Sequence, residues 1–130
     1  MQMYDAKITK ASSLRQIEKE IRSIGVSEEC VRIMRDKALF FLIRLKGVRN
    51  APANILKQEM LACGADATVS QWTVDCSRPR TDVLLMGTLK QLKHVAVKMR
   101  MQGHSLEAGK KKEYAALSEE ISAALKAAVE

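Results

Sequence analysis

Two apolar runs, each breaking straight into a helix start, constrain this chain more than anything else in it. The first is Ala38-Leu39-Phe40-Phe41-Leu42-Ile43-Arg44-Leu45-Lys46, closed by Gly47. It opens wholly apolar and then alternates, which predicts a strand whose first half is buried on both faces. The second is Asp82-Val83-Leu84-Leu85-Met86-Gly87, another buried strand. Behind the first run, Asn50 is a good N-cap and Pro52 is tolerated in a first helical turn. That helix carries Ile55, Leu56 and Met60 as its apolar stripe, reaches about Cys63 and stops at Gly64. Behind the second run, Thr88 and Gln91 have capping-box spacing, and Leu89, Leu92, Val95, Ala96 and Met99 share one helical face up to Gly103.

The flanks add weaker elements. Residues 2–9 read as a short opening strand. Ser13 and Gln16 repeat the capping-box spacing, and Leu14, Ile17, Ile21 and Ile24 step along one helix face until Gly25. Ser27 caps a short helix through Met34, and Ala67–Ser70 is a short strand. Gln71–Thr81 is a loop punctuated by Pro79. Residues 104–112 form a polar joint, after which Tyr114, Leu117, Ile121, Leu125 and Ala128 recur by three and four as a terminal amphipathic helix. The expected fold is α/β (α+β): a two-layer sandwich with a mixed sheet of about four strands, helices on one face, and a C-terminal amphipathic helix. Residues 1–103 make the α/β domain; residues 104–130 make a helix packed on it or used for dimerisation.

At 130 residues the chain suits one domain and is too short for a barrel enzyme, which needs roughly 250 residues. Its net charge of +7 points towards nucleic acid or anionic ligands. The excess lies at the two ends, however. Residues 47–88 hold 4 basic and 4 acidic side chains, and aromatics are only 4%, so stacking platforms for single strands are scarce. Cys30, Cys63 and Cys76 are odd in number, widely spaced and far from His94 and His104, so no zinc or other metal site is readable. The expectation is reduced cysteines in a cytoplasmic protein, with no membrane span and no signal peptide.

From about Ile24 to Gln102 the chain resembles the small domain that precedes the barrel in some bacterial dihydropteroate synthases. The resemblance rests on Ile24-Gly25-Val26, Ile33-Met34, Lys37-Ala38, Ala53-Asn54-Ile55-Leu56-Lys57-Gln58-Glu59-Met60-Leu61, Gly64-Ala65-Asp66-Ala67 and Thr81-Asp82-Val83-Leu84-Leu85-Met86-Gly87-Thr88. Family members carry two glycines where this chain has Gly64-Ala65. They also continue into a pterin-binding barrel. Only 28 residues follow Gln102, so synthase activity is not expected here. Cys76-Ser77-Arg78-Pro79-Arg80 faintly resembles a barrel loop but lies between two strands and lacks its final glycine. The resemblance implies a stand-alone accessory module for protein interaction or oligomerisation. A pterin, a folate or another anionic ligand is compatible with it, and so are a homodimer and a partner from folate or methyl-transfer metabolism.

The candidate ligand or partner residues follow from local chemistry. Asn54, Lys57 and Gln58 share a helix face. Arg49, Gly87, Thr88 and Lys90 surround two helix N-termini, which attract anions through free N–H groups and the helix dipole. If the two strands are parallel neighbours, both N-termini open on one edge. Arg78 and Arg80 are suited to clamping a carboxylate or phosphate. For each set the competing reading is structural: solvated faces, caps and loop charges. Trp72 is a packing residue or an interface anchor. His94 and His104 have no nucleophile or acid at a diagnostic spacing, so no catalytic set is assembled. The alternative function is a basic nucleic-acid-binding protein using Lys90, Lys93, Lys98, Arg100 and Lys110–Lys112.

Overall fold

A computed structural model describes residues 3–130. It is an α+β fold of five helices and three strands: α1 (Leu14–Arg22), α2 (Glu28–Ala38), β1 (Phe40–Arg49), α3 (Asn50–Ala62), β2 (Asp66–Val69), β3 (Arg80–Thr88), α4 (Leu89–Gly103) and α5 (Ala108–Val129). The sheet order is β1-β3-β2, and both pairings are antiparallel. The expected mixed sheet of about four strands is thereby corrected. The loop between β2 and β3 holds no helix, so those strands meet as antiparallel neighbours. β1 and β2 both oppose β3, and α3 connects them across it. Of the expected opening strand over 2–9, residue 2 lies outside the described residues, and residues 3–9 form no strand.

Gly47 does not end β1. The strand pairs Leu45 with Val83 and then Val48 with Thr81, so β1 carries one extra residue there. Gly47, at φ +63, supplies the left-handed backbone that such a bulge needs. β3 braces it: the Gly47 N–H donates to Asp82 Oδ1 (3.1 Å), and Arg80 Nη1 donates to the Gly47 carbonyl (2.8 Å).

Burial alternates along β1. Ile43, Leu45 and Val48 point into the core with Val83, Leu85 and Ala67. Phe40 and Leu42 point the other way and are 59% and 62% exposed. The expectation of burial on both faces therefore fails: the helices fill one side, and the apolar start of β1 stands open on the other. Leu56 and Met60 of α3 meet Leu92, Val95 and Met99 of α4 in the fully buried centre. Burying each such side chain contributes about 1.5–3 kcal/mol.

The helices follow their sequence signals, with several shifts. Ser13 Oγ accepts from the Gln16 N–H, but Gln16 Oε1 accepts from Ser12 N–H, so the reciprocal bond falls one residue early. Ile17 is buried, whereas Ile24 lies past the end of α1 and is 80% exposed, outside the face expected for it. α2 begins after Ser27 as expected but continues beyond Met34 to Ala38, through Arg35, Asp36 and Lys37, and Arg35 and Asp36 make ion pairs to α1 and α4. The expected joint over 104–112 is shorter, because Lys110–Lys112 already belong to α5. Tyr114, Leu117, Ile121 and Leu125 of α5 are buried along α4, while Ala128 is exposed. Gly103 permits this approach: a Cβ there would stand 2.9 Å from the Tyr114 Cβ.

Candidate functional site

The antiparallel register splits the site expected from sequence. Arg49 lies opposite Arg80, and Phe40 lies opposite Thr88. The N-termini of α3 and α4 therefore sit at opposite ends of the sheet, roughly 25–30 Å apart by strand rise. Arg49, Arg78 and Arg80 gather at one end and Gly87, Thr88 and Lys90 at the other, with Asn54, Lys57 and Gln58 on α3 between them. One shared anion site is excluded by this topology.

At the first end each arginine has a structural partner. Arg49 makes a bidentate pair with Glu113 of α5 (Nε–Oε2 2.8 Å, Nη2–Oε1 2.8 Å). The Arg49 hydrogen bond holds the Glu113 carboxyl below its ordinary pKa, and the same bond raises Arg49. Arg80 braces the Gly47 bulge. The Arg78 guanidinium lies 3.4 Å from the centroid of the half-buried Trp72 ring in the same loop. Asn50 is not the N-cap of α3. Arg49 holds that position and, having no acceptor, makes no side-chain capping bond; the Asn50 amide donates to the Arg78 carbonyl.

On α3, Lys57 Nζ donates to Asp66 Oδ1 (3.0 Å) and to the Ala67 carbonyl (2.7 Å). The hydrogen bond from Lys57 lowers the Asp66 pKa, reinforced by the Ala67 N–H. Lys57 thus ties α3 to the start of β2. Asn54 is half-buried and Gln58 exposed.

The second end holds the larger cleft. Lys37, Cys63, Thr88, Lys90, Gln91 and His94 line a cleft of about 450 Å³ where α2, α3 and α4 meet. The capping box is complete: Thr88 Oγ1 accepts from the Gln91 N–H, and Gln91 Oε1 accepts from the Thr88 N–H. Gln91 Nε2 then donates to the Cys63 carbonyl (3.1 Å), joining the two helices. These bonds occupy the helix N-terminus from within. Gly87 serves close packing, since a Cβ there would lie 3.2 Å from Gln91 Oε1 and 3.3 Å from the Ala65 Cβ. The lining cations are Lys37 and Lys90, beside the imidazole of His94, with no carboxylate among the lining residues. Sequence reading found Lys90 and missed the other two. No local pattern marks Lys37 or His94; they come together only through the packing of α2 on α4.

The nucleic-acid set is partly neutralised. Lys93 pairs with Asp36 (2.9 Å) and Arg100 with Glu119 (3.4 Å). Cys30 and Cys63 are half-buried, Cys76 is exposed, and all three are free thiols. Among the described residues, no three His, Cys, Asp or Glu side chains are grouped to hold a metal ion. No helix among them is long and apolar enough to cross a membrane. Compared with protein-family models, curated proteins and solved structures, the chain gives no match in any of the three.

Proposed function

We infer that this chain is a non-catalytic interaction module that self-associates and takes an anionic ligand in the Lys37–Lys90–His94 cleft. The observation that carries the first part is the open outer face of the sheet. Phe40 and Leu42, side by side on one strand face, are each more than half exposed. Apolar surface gathered on one face in this way favours a macromolecular partner. The cleft supports the second part: two lysines and a histidine converge with no carboxylate among the lining residues. A folate, planar in its pterin and anionic in its glutamate, suits that chemistry, as does a pterin bearing a phosphate, in keeping with the resemblance to the accessory domain of dihydropteroate synthases. A partner from folate or methyl-transfer metabolism follows from the same resemblance. Three free thiols fit the reducing cytoplasm.

Light scattering and calorimetry test the two parts separately. A dimer in solution and measurable heat with reduced pterins or folates support them. A monomer at every concentration removes self-association, and no heat with any of these ligands removes the ligand.

A further inference from the structure

β1 occupies the rim of the sheet, so one of its two backbone edges has no strand partner among the described residues. A free edge displays a row of N–H and C=O groups ready to pair with another extended chain. Beside it runs a groove of about 240 Å³ between β1 and α5. Four consecutive strand residues line it, Phe41, Leu42, Ile43 and Arg44, alternating between the two faces. A groove lined by consecutive residues follows the strand edge. Across from them, Ala124 and Ala128 of α5 leave space.

The chain also carries an exposed N-terminal segment that lies in no helix or strand. Residues 3–10 lie outside every helix and strand and are exposed throughout, Ile8 to 90%. Over Ala6-Lys7-Ile8-Thr9-Lys10 apolar and polar side chains alternate up to the final lysine, the pattern of a half-buried strand. Asp5, just before, stands at φ +51. Ile8 does not lie on its own sheet, which favours an edge in another copy.

We propose that Ala6–Lys10 of one chain adds to the free edge of β1 in a second copy, completing a four-stranded sheet in each subunit. An antiparallel register with Ile8 opposite Leu42 sets Lys10 opposite Phe40 and Ala6 opposite Arg44. Ile8 then meets Leu42, Lys10 faces the Phe40 ring, Lys7 and Thr9 fall opposite Ile43 and Phe41, and no like charges are opposed. Main-chain hydrogen bonds supply the affinity and the alternating side chains the register. By exchange of arms the contact is made twice, which closes a two-fold dimer. This proposal rests on the reading of the chain as a self-associating module and gives that reading its surface.

The test uses two full-length variants, Ile8→Pro in the arm and Leu42→Lys at the edge, examined by sedimentation. Proline removes the N–H that pairing needs, at a position too exposed to disturb the fold. Circular dichroism checks Leu42→Lys. The expected result is a dimeric native chain, two monomeric variants, and a heterodimer when they are mixed, because one still has an edge and the other an arm. An Ile8→Pro chain that stays dimeric overturns the arm exchange while leaving self-association intact. A monomeric native chain overturns both. If its arm amides are nevertheless protected from hydrogen exchange, the occupant of the edge is the chain's own arm.

Discussion

Arg49, the last residue of β1, grips Glu113, in the first turns of α5, through two parallel hydrogen bonds of 2.8 Å. The pair fastens the terminal helix to the end of the sheet farthest from Thr88. Both side chains are partly exposed, so the bridge contributes on the order of 1 kcal/mol.

That bridge predicts a pH dependence. Arg49 depresses the Glu113 pKa, so Glu113 stabilises the fold at pH values above the unfolded carboxyl pKa, about 4.3. The contribution falls away as pH drops through the lowered folded value. Urea unfolding of the native chain and Glu113→Gln should differ by about 1 kcal/mol near neutrality and converge in acid. A constant difference down to strongly acidic pH would remove the charge pairing as its cause.

Gly103 and Gly109 should respond to alanine in opposite directions. A Cβ on Gly103 meets the Tyr114 Cβ at 2.9 Å and the Lys111 carbonyl at 3.3 Å, while one on Gly109 meets nothing within 4 Å. Gly103→Ala should cost about 1–3 kcal/mol by overpacking. Gly109→Ala, inside α5, should stabilise by up to about 1 kcal/mol. Thermal unfolding of the two variants checks the sign of each.

Gln91 closes the capping box of α4 and bonds the Cys63 carbonyl at the end of α3. Gln91→Ala removes both contacts and should lower stability by about 1–2 kcal/mol. Gln91→Glu keeps the acceptor for the Thr88 N–H and loses only the donor, so its loss should be smaller. Equal losses would show that the bond to Cys63 carries the whole effect.

The cleft makes a prediction about ligand binding. Lys37→Glu and Lys90→Glu each reverse one of the charges converging there. Either substitution should weaken the binding of a folate or reduced pterin at least tenfold in calorimetry and leave the fold unchanged. Arg49→Ala, at the opposite end of the sheet, should leave that affinity unaltered.

Signals contained within a few residues were legible in the sequence. Thr88 and Gln91 stand three apart, and their reciprocal bonds form as their spacing predicts. Gly64, at φ +83, lies where the α3 stripe stops. Relationships across the sheet were not legible. Gly47 reads as a strand terminator until Asp82 and Arg80, more than thirty positions away, are seen to brace it as a bulge. The two helix N-termini looked like one site because the direction of strand pairing is not written in either strand. Arg49 looked like a ligand residue because Glu113 is 64 positions distant. Lys37 and His94 join Lys90 only through helix packing, so no local pattern identified them.

Self-association through the open sheet is most directly tested by hydrogen exchange along Phe40–Arg49 at low and high protein concentration. Protection of β1 and of Ala6–Lys10 should rise together as concentration increases, while the exchange of β2 and of the α4 core stays constant. Exchange of β1 that is independent of concentration would contradict the account.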